Sequence, residues 1–491
     1  MLLGKPNNSA LPSVRPLTRW KRAGYYENVF TLEARAVESV EQFMKTNIKK
    51  LEISMSSSLA VQNKISSPLF WVPTAYFTMA LGFMMLTNVT ATMFKNLGMG
   101  NGQAAGYSSM FILAYTIKPL YAPFVEMYRT KKFFVLCAQF LIGLGFAGVA
   151  MLMALPNYLV LMMPLFWVLS FVGATQDIAS DGVYVTSLDQ RSQSLYCGLQ
   201  SLSWNIGPIV AVGGMVALSG FLHTQVFHHS QASFGPEWIE AWRIIFFLAA
   251  GLTLAMAFWH LRVMPEGERA RTTPSSVPAA VQILKDSFLT FFQKRDVWRM
   301  VAFAFLFRLS IGFLEKIGPF FMLDPSAKGG LGLSNELLGL VYGTYGLAAV
   351  LVGSLLGGWF VARGGLKKTL FLLCCAVNIP NVTFLIMSLY LPSSLLAISA
   401  GVIVEKFFFG FGSVGYMIYL MQELAPGKYT TTHYAFGTGL MGLCGMLTGM
   451  VSGYLQESMG YVSYFVFVMV ATIPSFLACW FAPFHHTEKS V

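Results

Sequence analysis

Twelve transmembrane helices in two pseudo-symmetric six-helix bundles, an all-α membrane protein, is the fold class this sequence predicts, and three observations predict it. Only 11% of the 491 residues are charged while 55% are hydrophobic, against about 25% charged in an average soluble chain. Twelve apolar stretches are long enough to cross a hydrocarbon core, which takes about 20 helical residues: 69–91, 103–125, 132–153, 157–182, 195–221, 242–263, 299–323, 336–361, 369–390, 394–421, 434–456 and 460–484. The second six also repeat the first. Val125 stands six residues before Lys131-Lys132 and Val361 six before Lys367-Lys368, while Phe171-x-Gly173 in span four matches Phe408-x-Gly410 in span ten, and the two offsets agree to within one residue.

In chain order, residues 1–66 form a polar, basic tail without the apolar core of a secretory signal. Glu27, Glu33, Glu38, Glu41 and Glu52 also argue against a transit peptide. Phe30, Val37, Val40, Met44, Ile48 and Leu51 recur mostly at helical steps. Either this is a short interfacial helix, or Met55 is the natural start and the tail is weakly ordered. The first bundle follows at 67–263 and the second at 299–484, with a short tail at 485–491. Between the bundles, 264–298 carries PEGERARTTPSSVP and then an amphipathic stretch around 281–292, the composition of a cytoplasmic linker.

The net charge of +11 invites a nucleic-acid reading, and the placement of the charge removes it. With the N-terminus inside, the outer loops hold only Lys95, Arg243 and Lys328 of the 33 basic residues, and the spans hold Lys118, Arg308, Lys316 and Lys406. All others fall on the inner side, so the positive-inside rule puts both termini in the cytoplasm. The six cysteines have no ligand-like spacing, which predicts neither a disulfide framework nor a zinc site. Gly442, Gly445, Gly449 and Gly453 in span eleven and Gly353 and Gly357 in span eight form small-residue ladders, read as helix packing.

The polar residues inside the spans are the candidates for function. GATQDIASDGVY (173–184) puts Asp177 and Asp181 on one helical face, with Gln176 beside the first. Carboxylates at membrane depth are costly unless they face a cavity or a partner, so this stretch reads as a wall of a permeation pathway, or, if it lies at the cytoplasmic helix end, as a brace for a loop. Lys118 precedes Pro119 in span two; it either meets an anionic substrate or Asp177, or snorkels to the inner interface. Arg308 is its second-half counterpart, with a fork suited to carboxylate or phosphate. Both bases are expected to reach a central cavity of positive or mixed charge. Glu405 and Lys406 in span ten are expected to point apart, as adjacent helix positions diverge, and Glu405 competes with Asp177 as the proton-coupling group. Glu315 and Lys316 read as interfacial or as an outer gate. Trp204, Asn205, Asn378 and Asn381 are candidates for sugar hydroxyls and ring faces, or for interhelical bonds. His228 and His229 read as solvated. Glu126, Arg129, Lys131 and Lys132 after span two, with Arg363, Lys367 and Lys368 after span eight, are expected to latch the bundles on the inner side.

YTIKPLYAPFVEMY (115–128), ATQDIASDG (174–182) and VEKFFFGFGSVGY (404–416) resemble the AmpG muropeptide permease family of the major facilitator superfamily. The QDIxxDG core is also similar to acetyl-CoA transporters of that superfamily. The resemblance runs through residues 69–484 and implies a proton-driven importer of anhydromuropeptides in a bacterial inner membrane, with siderophore and acyl-CoA-type permeases as alternatives. Two departures stand out. Glu126 and Arg129 are separated by Met127 and Tyr128 where the family pairs acid and arginine, and Ile311 stands where an acid is expected after Arg308. No nucleophile elbow, phosphate-cradling loop or metal-spaced cluster occurs, so neither enzyme activity nor a cofactor is expected; the reading from another class, a membrane-embedded transferase, needs a catalytic loop cluster that the short loops lack. The expected partners are a small-molecule substrate, protons and lipid, and the expected state is a monomer.

Overall fold

The computed structural model describes residues 67–127, 129–231, 233–267 and 277–485, and these form helices and short connections without a strand. The tail helix expected within 1–66 lies outside the described residues. Ten described helices are long and apolar enough to cross a membrane: Pro68–Asn96, Lys131–Leu152, Tyr158–Ser187, Arg191–Val226, Pro236–Val263, Val297–Leu323, Asn335–Gly364, Leu366–Tyr390, Leu395–Leu424 and Thr432–Trp480. Two local breaks reconcile these ten with twelve crossings. Span two is divided into Asn101–Met110, Leu113–Thr116 and Lys118–Met127. Ile117 leaves helical geometry at φ −91°, ψ 2°. Pro119 then falls in the first turn of the next helix, where a missing N–H costs nothing. The Tyr121 hydroxyl spans the break, donating to the Ala114 carbonyl at 3.1 Å. The last long helix covers spans eleven and twelve and folds back at Gly460, whose φ of 73° and ψ of 169° only glycine adopts readily.

Span seven is broken too, into Val297–Leu306 and Leu309–Leu323, with Arg308 at φ −101°, ψ 10° between them. A helix covers Val277–Phe292 of the linker and docks on span eleven, where the Ser287 carbonyl lies 3.1 Å from His433 Nε2. Beside it the Lys294 ammonium donates to the carbonyls of Leu424 and Pro426 at 2.5 and 2.8 Å, and burial pulls its pKa down to about 8.

Glycines set the helix spacing. A Cβ at Gly173 would meet the Tyr115 hydroxyl of span two, and one at Gly410 the Val350 carbonyl of span eight. The repeated Phe-x-Gly thus marks the same close approach, span four on span two and span ten on span eight. Between the halves, Gly442, Gly449 and Gly453 of span eleven lie against Thr116, Ser109 and Asn101 of span two, and Gly339 and Gly343 of span eight against Gly213 of span five. These two small-residue seams hold the halves together without room for a side chain at several of the crossings.

Candidate translocation site and outer seal

Helix Tyr158–Ser187 carries Asp177 and Asp181 one turn apart, and both line a cavity of about 260 Å³ together with Tyr76, Gln200, Trp204 and Asn205. Each carboxylate has its own partner. The Lys118 ammonium, set at the start of the helix that follows the span-two break, pairs with Asp177 Oδ2. The Tyr76 hydroxyl of span one donates to Asp181 Oδ1 at 2.7 Å. Two acids that would repel if left alone are thereby separated electrostatically, one facing a cation and the other a neutral hydroxyl. Such a pair can exchange a partner for a proton without leaving two bare charges in a low-dielectric wall. Tyr76 carried no signal in the sequence, since an aromatic in an apolar span reads as packing.

In the second half, Arg308 donates to Glu315 Oε2 at 3.2 Å and its guanidinium lies 5.5 Å from the Phe409 ring. The acid that was expected near Ile311 is therefore supplied seven residues along span seven, two turns away on the same face. Glu405 and Lys406 do not point apart: both are buried and their charged ends meet at 3.4 Å. Their long side chains converge because neither charge has water, and the Lys406 ammonium also lies 4.5 Å from the Tyr342 ring. Asn378 is withdrawn into the helix packing, accepting from Ser310 Oγ at 2.5 Å and donating to the Cys374 carbonyl at 2.9 Å. Asn381 joins it by donating to the same Ser310 oxygen at 3.5 Å. Gln176 is buried and does not line the cavity.

The halves meet most closely at the ends that the charge distribution places outside. Lys95 of span one pairs with Asp324 at the end of span seven at 2.6 Å, both nearly fully buried. Asn101 of span two accepts from Lys95 at 2.6 Å and donates to Asp324, and Tyr461 of span twelve donates to the same carboxylate at 2.5 Å. Burial alone would raise the pKa of Asp324, but the Lys95 charge and the donated hydrogen bonds outweigh it and hold the carboxyl below the usual range. Asn96 and Asn335 exchange hydrogen bonds beside this pair, and Thr224 donates to Glu336 at 3.1 Å. None of these residues was singled out as a gate from the sequence, because Lys95 and Asp324 lie 229 positions apart in different halves.

Several inner-loop charges have contacts within their own halves. Lys132 pairs with Glu266 at 3.7 Å, Arg129 lies 5.8 Å from the Phe133 ring and the Lys131 stem packs over Gly182 and Gly267. Arg363 stacks on Trp359 at 4.2 Å, and Lys367 and Lys368 are exposed at the start of span nine. The side chain of Glu126 lies outside the described residues. On the sidedness that the charge distribution predicts, the joined ends are the outer ones.

Comparison with known proteins agrees with this architecture. The chain is 22% identical over 377 residues to the putative transporter AmpG 4 of Rickettsia felis, covering 74% of this chain and 84% of that one. It is 23% identical over 421 residues to the anhydromuropeptide permease of Escherichia coli K12, covering 83% of this chain and 79% of the permease. Among solved structures, a D-xylose-proton symporter matches with a TM-score of 0.63 at 14% identity, over 85% of this chain and 97% of the symporter. A bacterial homologue of the human lysosomal transporter Spinster, inward-facing and unoccupied, matches with 0.62 at 14% identity, over 84% and 96%. The resemblance to AmpG permeases read from the motifs is thus borne out at the level of these relatives. The family model that matches residues 74–453 is that of the Major Facilitator Superfamily, and the chain belongs to it.

Proposed function

We propose that this transporter is a proton-driven importer of a bulky anionic solute, with anhydromuropeptide as the leading substrate, working by alternating access in a bacterial inner membrane. The observation that carries the reading is the Lys118–Asp177 pair beside Tyr76–Asp181, with both acids and Tyr76 lining one cavity. A cation at a helix break is available to an anionic substrate group, and the acid it leaves behind is available to a proton. Trp204 and Asn205 offer a ring face and an amide for a sugar on the same wall. The name of the Escherichia coli relative supports the substrate class. In the proposed cycle the bundles 67–263 and 299–484, joined by the linker 264–298, rock about the glycine seams as a monomer with both termini cytoplasmic. Protonation of Asp177 frees Lys118 for the substrate, and release of substrate inward returns Lys118 to Asp177.

Uptake of labelled anhydromuropeptide into proteoliposomes tests this. Accumulation should follow an imposed pH gradient, acid outside, and collapse with a protonophore. Accumulation indifferent to the gradient removes the coupling. Absence of uptake, with thermal stabilisation by ferric siderophores or acyl-CoA esters instead, moves the substrate to those classes.

A further inference from the structure

We propose that Lys316 and Ser109 form a second carboxylate-binding position, above the cavity on the outer side, which is closed in the inward-facing state and receives the substrate's acid group when the outer seal opens. The proposal rests on the anionic-substrate reading above. Lys316 belongs to span seven in the second half, yet its ammonium reaches across the seam to the carbonyl of Thr87 in span one at 3.2 Å. That is the one hydrogen bond its three donors make among the described residues, and the side chain is buried. Glu315, its neighbour, is turned to Arg308 instead. Thr87 lies within the π-helical stretch Met85–Val89 of span one, the kind of local widening that recurs at functional sites.

Ser109 of span two supplies the second observation. Its hydroxyl is fully buried and has no hydrogen-bond partner among the described residues. Both side chains pack against one residue: a Cβ added to Gly449 of span eleven would strike Ser109 Oγ and come within 3.7 Å of Cγ in the Lys316 stem. The stem of Lys316, whose ammonium has two unused donors, and the unpartnered Ser109 hydroxyl thus lie against the same glycine. A cation held only by a neutral carbonyl is costly at membrane depth, and a carboxylate is the ligand that would satisfy both groups. Thr87 lies between Tyr76, at the cavity, and Lys95, at the outer seal, along the same helix. When the halves part at their outer ends, Lys316 must leave Thr87, and its ammonium then faces the outer vestibule while Lys118 still lies deeper.

The test compares wild type, Lys316→Gln and Ser109→Ala in proteoliposomes, using anhydromuropeptide and an analogue whose peptide carboxylates are amidated. For wild type the native substrate should have the lower KM, by about tenfold, the worth of one charge-assisted hydrogen bond. Lys316→Gln should raise the KM of the native substrate by about the same factor with kcat little changed, and should narrow the preference over the amidated analogue to the part that Lys118 confers. Ser109→Ala should give a smaller shift in the same direction. A preference as large in Lys316→Gln as in wild type, with kcat reduced and KM unchanged, overturns the proposal and leaves Lys316 as a seam contact. Should Lys316→Gln fail to fold, Lys316→Cys alkylation by an impermeant reagent decides: the proposal expects labelling from outside that substrate prevents, and labelling indifferent to substrate overturns it. Wild type that transports neither compound counts against the substrate reading itself and is seen before any variant is compared.

Discussion

Lys118 and Arg308 occupy matching positions of an unusual kind, each at a point where its span stops being helical. Ile117 and Arg308 have nearly the same backbone angles, φ −91°, ψ 2° and φ −101°, ψ 10°, in a sparsely occupied region where functional residues are often found. A broken helix at membrane depth exposes main-chain polar groups and gives a long basic side chain freedom to change partner. Asp177→Asn should leave Lys118 without its counter-charge. Counterflow of substrate down its own gradient should persist while pH-driven accumulation is lost, and Asp181→Asn, whose partner is a neutral hydroxyl, should have the milder effect. Accumulation at wild-type level in Asp177→Asn would move the proton site to Glu405. Tyr76→Phe removes the hydroxyl that Asp181 accepts from, a bond to a charged group worth about 1.5–3 kcal/mol. Uptake should fall at least several-fold while protein abundance holds. The acids of this site were legible in the sequence because a charge in an apolar run has few structural excuses. Tyr76 was not, and Asn378 stayed open between binding and interhelical bonding, because an aromatic or amide in a span is as good at packing as at binding until its partner is known.

At the scale of helices, the seams are where the structure adds most to the sequence. The ladder of Gly442, Gly449 and Gly453 was visible as spacing, but spacing does not say which helix it faces, and here it faces span two across the halves. Gly339 and Gly343 of span eight, themselves four residues apart, do the same against Gly213 of span five. At Gly343 an added Cβ would run into the main chain of Gly213, which cannot give way as a side-chain tip can. Gly343→Ala should therefore prevent the outer ends from closing. A Thr224→Cys probe at the outer end of span five should become more reactive to an impermeant thiol reagent in that background. Asp324→Asn should act on the same equilibrium, because it leaves Lys95 buried without a counter-charge, a loss of about 3–5 kcal/mol. The pH dependence follows from the sign of the Asp324 shift. A carboxyl held below its ordinary value of 3.8 stabilises the seal while ionised, and that contribution is lost only as pH falls through the lowered value. Reactivity of the Thr224→Cys probe should accordingly be the same at pH 8 and pH 5, and a rise at pH 5 would place a proton-sensing group in the outer seal.

For the whole molecule, the two ends of the halves differ in chemistry. The outer closure is made of buried partners drawn from spans one, two, five, seven, eight, eleven and twelve. At the other end, where the sequence suggested a charged latch, Lys132 pairs with Glu266 and Arg363 stacks on Trp359 within their own halves, so a latch that joined the halves through these two would need them to change partners. Charges at such a seam bias a two-state balance by a few kcal/mol, against the roughly 5.5 kcal/mol needed to carry it from 1:99 to 99:1. Transport requires that both closures open in turn, and this gives a direct check on the outer one. Asn96 and Asn335 face each other across the seam, their side chains 2.7 Å apart. A variant with Asn96→Cys and Asn335→Cys, joined by a short thiol cross-linker, should be held inward-facing. Its uptake should fall to background, a ligand added from the inner side should still bind, and cleavage of the linker should restore transport. Uptake that continues with the cross-link complete would mean that substrate does not pass between these two helices, and that the outer opening lies elsewhere on the bundle.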